Sequence, residues 1–110
     1  MKIEYGKNKL KMQLSNSTEL KKAFGVNAKR IQSRLDDIEA SPNLAVLMQI
    51  PAANCHSLSG KRMGQWAVDI SGNYRLIFEI TNTPIPKTIE GSIDTLLVTD
   101  ICILDVVDYH

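Results

Sequence analysis

The chain has little of several things that often declare a function. Aromatic residues fill 5% of its 110 positions and there is one tryptophan, so a core must come mainly from Ile, Leu, Val and Met. Cysteine occurs twice, at Cys55 and Cys102, too few for a disulfide framework; two small buried or bystander thiols and no disulfide are expected. No run approaches the ~18 apolar residues of a membrane span, and Met1–Tyr5 lacks the apolar core of a secretion signal, so a cytoplasmic protein is expected. Nor is there an excess of one charge. Thirteen Lys and Arg oppose twelve Asp and Glu, leaving a formal +1 that advertises no polyanionic partner through bulk electrostatics. What is present is 44% hydrophobic residues, which excludes disorder, over a length that suits one domain spanning 1–110.

The small net charge conceals an uneven distribution. Residues 1–40 carry nine basic side chains against five acidic ones, whereas the last thirty carry Lys87 against Glu90, Asp94, Asp100, Asp105 and Asp108. Such an asymmetry becomes a surface property only once the fold is known.

Local patterns give an order of elements. A short strand is predicted near Lys2–Tyr5, after which the N-terminal half reads as helical. Asn16-Ser17-Thr18-Glu19 offers a cap with an acidic residue three positions on, and Gly25 is a natural stop. Asn27 is predicted to cap a second helix whose Ile31, Leu35 and Ile38 share one face, with Lys29, Arg30, Arg34 and Asp36 turned toward water. Ser41-Pro42 suggests a cap with proline in the first turn of a short helix over Leu44, Val46, Leu47 and Met48, ended by Pro51. After Gly64 the period becomes two. Trp66, Val68 and Ile70 alternate with Ala67 and Asp69, Ser71-Gly72-Asn73 supplies a turn, and Tyr74, Leu76, Phe78 and Ile80 alternate with Arg75, Ile77 and Glu79: a β-hairpin. Residues 81–92 form a loop, and Leu96–Val107, apolar on both faces, is predicted as a strand in mid-sheet. The fold class is α+β, with an N-terminal strand and two to three helices packed on one face of a small antiparallel-rich sheet.

With the last strand beside the hairpin, His56, Lys61, Arg62, Arg75, Tyr109 and His110 gather at one edge. Groups that titrate near neutrality beside phosphate-holding cations are the inventory for phosphodiester cleavage by acid–base catalysis. Ordinary roles compete with that reading. A terminal His is commonly solvated, and an arginine in a strand is commonly salt-bridged, here to Glu79 or Asp69. Cys55, His56, Cys102, Asp108 and His110 match no regular metal-ligand spacing, so no metal is expected. Trp66 and Tyr74 begin alternating apolar runs and read as core residues before base-stacking ones.

The segment from Cys55-His56-Ser57-Leu58-Ser59-Gly60-Lys61-Arg62 to Trp66, then Ser71-Gly72-Asn73-Tyr74-Arg75, then Val107-Asp108-Tyr109-His110, resembles the HigB branch of the RelE/ParE toxin superfamily. That resemblance implies a type II toxin that enters the ribosomal A site and cuts translated messenger RNA, the RNA's own 2′-hydroxyl attacking the adjacent phosphate without metal or other cofactor. It implies His56 in proton transfer or phosphate contact and Arg75 on the phosphate, where its fork suits the oxygens. It implies Tyr109 and His110 in acid–base work or nucleotide positioning, and Asp108 orienting its neighbours. Where related toxins often carry a lysine this chain has Ser59, which implies that Lys61 or Arg62 substitutes for it, or that the enzyme is slower or relies more on the ribosome. The implied partners are a helix-turn-helix antitoxin and the ribosome, with no membrane, and DNA reached only through the antitoxin complex. The superfamily fold also serves gyrase poisons without nuclease residues, and a catalytically weak co-repressor partner of the antitoxin is a third reading. A low total charge then implies poor cleavage of naked RNA, since a free RNA binder ordinarily releases counterions with an excess of cations.

Overall fold

A computed structural model describes residues 1–108. In chain order it contains β1 (Lys2–Tyr5), α1 (Asn8–Ser15), α2 (Ser17–Phe24), α3 (Ala28–Ala40), α4 (Leu44–Met48), β2 (His56–Ser57), β3 (Gln65–Ser71), β4 (Tyr74–Ile80) and β5 (Asp100–Asp108). The strands form one mixed sheet in the order β1-β5-β4-β3-β2. β1 runs parallel to β5 and the other neighbours are antiparallel. This is the α+β architecture expected from the sequence.

Alternation along the hairpin decides which face is which. Trp66, Val68, Ile70, Leu76, Phe78 and Ile80 join Leu10, Leu14, Leu20, Ile31, Leu35 and Ile38 of the helices in one core cluster. Phe78, Leu76 and Ile31 are fully excluded from water, and each contributes on the order of 1.5–3 kcal/mol by its burial. Ala67, Asp69, Arg75, Ile77 and Glu79 point to the opposite face by the same period. The helices therefore cover one side; on the other Ala67 and Ile77 are also closed off from water, while Asp69, Arg75 and Glu79 stay partly exposed.

Local signals behave as their chemistry requires. The Asn16 carboxamide accepts from the Thr18 and Glu19 N–H groups at 2.9 and 3.1 Å, which satisfies two donors left over at the start of α2. The helix stops at Gly25, whose φ of +54° favours glycine. The 81–92 loop is folded back on itself through a Lys87–Ile93 bridge.

Four expectations are corrected. Asn27 does not cap α3: its backbone is already helical, and its side chain accepts from the Ser71 hydroxyl of β3. Ser41 closes α3 instead of opening α4. It is buried with its hydroxyl on the Asp37 carbonyl, because the free carbonyls of the preceding helix lie within its reach. Asn43, one residue past the proline, caps α4 through the Val46 N–H. Arg34 is not turned toward water; its side chain is 14% exposed and paired with Asp37. Finally, the last strand begins at Asp100, four residues later than its apolar run, since the Asn82 side chain ties down Thr99 and Asp100 while Leu96 and Leu97 stay exposed in the loop. The two-residue strand β2 and the helix α1 have no separate counterpart in the sequence patterns.

Candidate active site

The site is assembled from β2, the turn that follows it, and the start of β4. Strand β2 pairs with β3 through His56–Ala67 and Ser57–Trp66, which sets His56 on the face of the sheet opposite the helices. Its neighbour Cys55 points the other way, into the helix-side core. Burial pushes the Cys55 thiol up to about 12, so it stays protonated at neutral pH and is no nucleophile. A 3₁₀ turn at Gly60–Arg62, bracketed by Gly60 and Gly64 at φ of +63° and +90°, then carries Lys61 and Arg62 back toward the sheet. Arg75 sits just past the hairpin turn, paired in register with Asp69.

These residues meet. His56, Leu58, Ser59, Lys61, Arg62 and Arg75 line an open cavity of about 450 Å³. Among the described residues four basic side chains and no carboxylate line it, with Leu58 as the apolar wall, so the cavity suits an anion with an adjoining apolar group. The expected gathering of His56, Lys61, Arg62 and Arg75 is thus observed as geometry, and Ser59 stands among them without a charge. Arg62 is steadied by its Nη1 donating to Gln65 Oε1 at 3.0 Å. Lys61 is solvent-exposed with no ion pair among the described residues, so it is free to follow an incoming phosphate.

Arg75 is held on two of its three nitrogens. Its Nε lies 2.9 Å from Asp69 Oδ1, and its Nη1 donates to the carbonyls of Gly72 and Tyr74 at 2.8 and 3.2 Å. The ordinary salt bridge and the phosphate role do not compete, because the Nη2 edge is not used by either contact. His56 Nδ1 lies 2.7 Å from the Asn54 carbonyl oxygen. A carbonyl oxygen only accepts, so Nδ1 carries the proton, and in the neutral ring Nε2 is the bare nitrogen.

Asp108 ends β5 opposite Tyr74, one register step from the Arg75–Val107 pair, and is not among the residues lining the cavity. Tyr109 and His110 lie outside the described residues. Trp66 is buried and Tyr74 half-buried against the same core. Asn54, which the sequence patterns pass over, is the residue that links His56 to the strand beside it.

The family model described as the RelE-like toxin of type II toxin–antitoxin system HigB matches residues 4–95. The chain belongs to this HigB family. The matched span contains His56, Lys61, Arg62 and Arg75, and a toxin of a type II system implies an antitoxin partner. Among solved structures, the HigB-family chain is similar to a YoeB/ParE toxin from Agrobacterium tumefaciens, with a TM-score of 0.59 at 10% identity over 100% of both chains. At that identity the likeness is one of fold. No curated protein matches. Among the described residues no helix is long and apolar enough to cross a membrane, and no group of three or more His, Cys, Asp or Glu is placed to hold a metal ion.

Proposed function

We propose that this HigB-family toxin is a ribosome-dependent endoribonuclease acting as a single domain on translated messenger RNA. The observation that carries the reading is the cavity in which His56, Lys61, Arg62 and Arg75 converge. In the proposed reaction the 2′-hydroxyl of the RNA attacks the adjacent phosphorus. Its proton passes to a base, for which His56 Nε2 is the candidate. The P–O5′ bond breaks, the leaving oxygen takes a proton from an acid, for which His110 or Tyr109 is proposed, and a 2′,3′-cyclic phosphate remains. Asp108 is proposed to orient that terminal pair. Arg75, through Nη2, and Lys61 with Arg62 offset the charge that builds on the phosphoryl oxygens. One such donor is typically worth about 2.7–4 kcal/mol, and general acid–base transfer about 10²–10⁴-fold.

The nucleophile comes from the substrate, so the scheme calls on no cofactor. The net charge is only +1, which favours a substrate presented by the ribosomal A site over capture of naked RNA. The proposed antitoxin is a helix-turn-helix protein that places the pair on DNA. In a translating extract, purified toxin is expected to cut a reporter message within codons, leaving cyclic-phosphate ends, and to leave the same RNA intact when translation is blocked. Arg75→Ala is expected to abolish the cuts. Intact message in a translating extract, with DNA supercoiling inhibited instead, would transfer the protein to the gyrase-poison class.

A further inference from the structure

Four residues stand on the face of the sheet opposite the helices with chemistry that the cavity alone does not explain. The antiparallel pairings His56–Ala67 and Ser57–Trp66, continued two residues upstream, place Asn54 beside Asp69. Asp69 in turn pairs directly with Arg75. The row Asn54, Asp69, Arg75 therefore crosses three chain segments on one face, and His56, two residues after Asn54, shares that face.

The contacts run along this row without a gap. The Asp69 N–H donates to the Ala53 carbonyl at 2.7 Å. The Asn54 carboxamide donates to Asp69 Oδ2 at 3.1 Å. Asp69 Oδ1 lies 2.9 Å from Arg75 Nε, and it is a buried oxygen with no aligned hydrogen bond, so the guanidinium charge alone compensates it. At the other end, His56 Nδ1–H donates to the Asn54 carbonyl at 2.7 Å. Asn54 adopts φ of +43°, and no other non-glycine residue among those described has a positive φ. Asparagine tolerates that region better than other side chains, and a residue held there ordinarily has compensating contacts. Its bond to Asp69 supplies one. Neither Asn54 nor Asp69 lines the cavity.

We infer that Asn54 and Asp69 form a positioning clamp, in which one carboxylate, gripped by the Asn54 carboxamide and the Arg75 guanidinium, sets both the Nδ1–H tautomer of His56 and the orientation of the Arg75 fork. The inference rests on the nuclease reading for its purpose but not for its geometry. A carboxylate accepts on both oxygens, whereas an amide at position 69 accepts on one and turns its NH₂ against a second donor. Asp69→Asn thus breaks one link while keeping shape. Asn54→Gly keeps the positive φ and removes the link from the other side.

Two readouts test the clamp. In ¹⁵N NMR of the imidazole, with His56→Gln used for assignment, the wild-type neutral ring is expected as the Nδ1–H tautomer, and both variants are expected to populate Nε2–H. In single-turnover cleavage on programmed ribosomes, both variants are expected to lose at least tenfold in maximal rate while ribosome affinity stays within about twofold. A wild-type ring in the Nε2–H form overturns the clamp even if a variant fails to fold. So does a wild-type that cleaves with Asp69→Asn cleaving within twofold of it. A wild-type that shows the Nδ1–H tautomer but never cleaves supports the clamp as geometry and removes the nuclease reading instead.

Discussion

Replacing one half of the Arg34–Asp37 pair should matter much more than replacing the other. The two residues lie three apart on α3, with Arg34 Nη1 3.1 Å from Asp37 Oδ2 and with 14% and 30% of their side chains exposed. Arg34 Nε and Nη1 are closed off from solvent without an aligned hydrogen bond. At an effective dielectric constant of about 20 the attraction at this separation is about 5 kcal/mol. Desolvation costs several kcal/mol per ion, so the net value of the pair is close to zero. Removing only the carboxylate leaves the more buried charge uncompensated. A fully buried case costs about 3–5 kcal/mol; with the partial exposure seen here about 2 kcal/mol is expected. Asp37→Ala also gains about 0.5 kcal/mol of helix propensity, for a net loss of about 1.5 kcal/mol. Arg34→Met keeps the unbranched stem and the propensity, removes the closed-off nitrogens, and leaves Asp37 able to reach water. It is expected within about 0.5 kcal/mol of the parent. Urea unfolding at pH 7 with an unchanged slope is the measurement, and Asp37→Ala should lower Tm by roughly 6 °C. Should Arg34→Met prove as costly as Asp37→Ala, the guanidinium is a net stabiliser and the reasoning fails.

Three further outcomes follow from the same structure. Burial holds the folded Cys55 thiol near 12 against an ordinary 9.0, so the unfolded chain releases its proton first as pH rises. Stability should then fall between about pH 9 and 12 by up to ~1.4 kcal/mol per unit, and Cys55→Ala should flatten that slope in alkaline unfolding curves. Asn16→Ala removes the acceptor for two N–H groups of α2 and should cost about 1 kcal/mol in thermal unfolding; a change below about 0.3 kcal/mol would deny the cap its role. Arg75→Lys keeps the charge but cannot hold Asp69, two carbonyls and a phosphate at once, and cleavage should fall at least tenfold; full activity would show that charge without the fork suffices.

The sequence by itself determined the hairpin, the β1 strand, the cap and stop of α2, and the inward stripe of α3, because each rests on a period or a turn residue within a few positions of itself. By placing the last strand beside the hairpin it also grouped His56, Lys61, Arg62 and Arg75 with Tyr109 and His110, and the first four line one cavity. Competition between neighbours was less legible. Ser41 and Asn43 both have capping side chains, and only the path of the chain decided that Ser41 closes one helix while Asn43 opens the next. Arg34 looked like a solvated residue because composition does not say where a helix packs. Tertiary structure alone decided that Asn54 and Asp69, fifteen residues apart, share a hydrogen bond. Register is a long-range property: a strand as short as His56–Ser57 has no period of its own, and its place is set by pairing with β3. That pairing turns His56 outward and Cys55 inward, and so converts a list of basic residues into a cavity with a face.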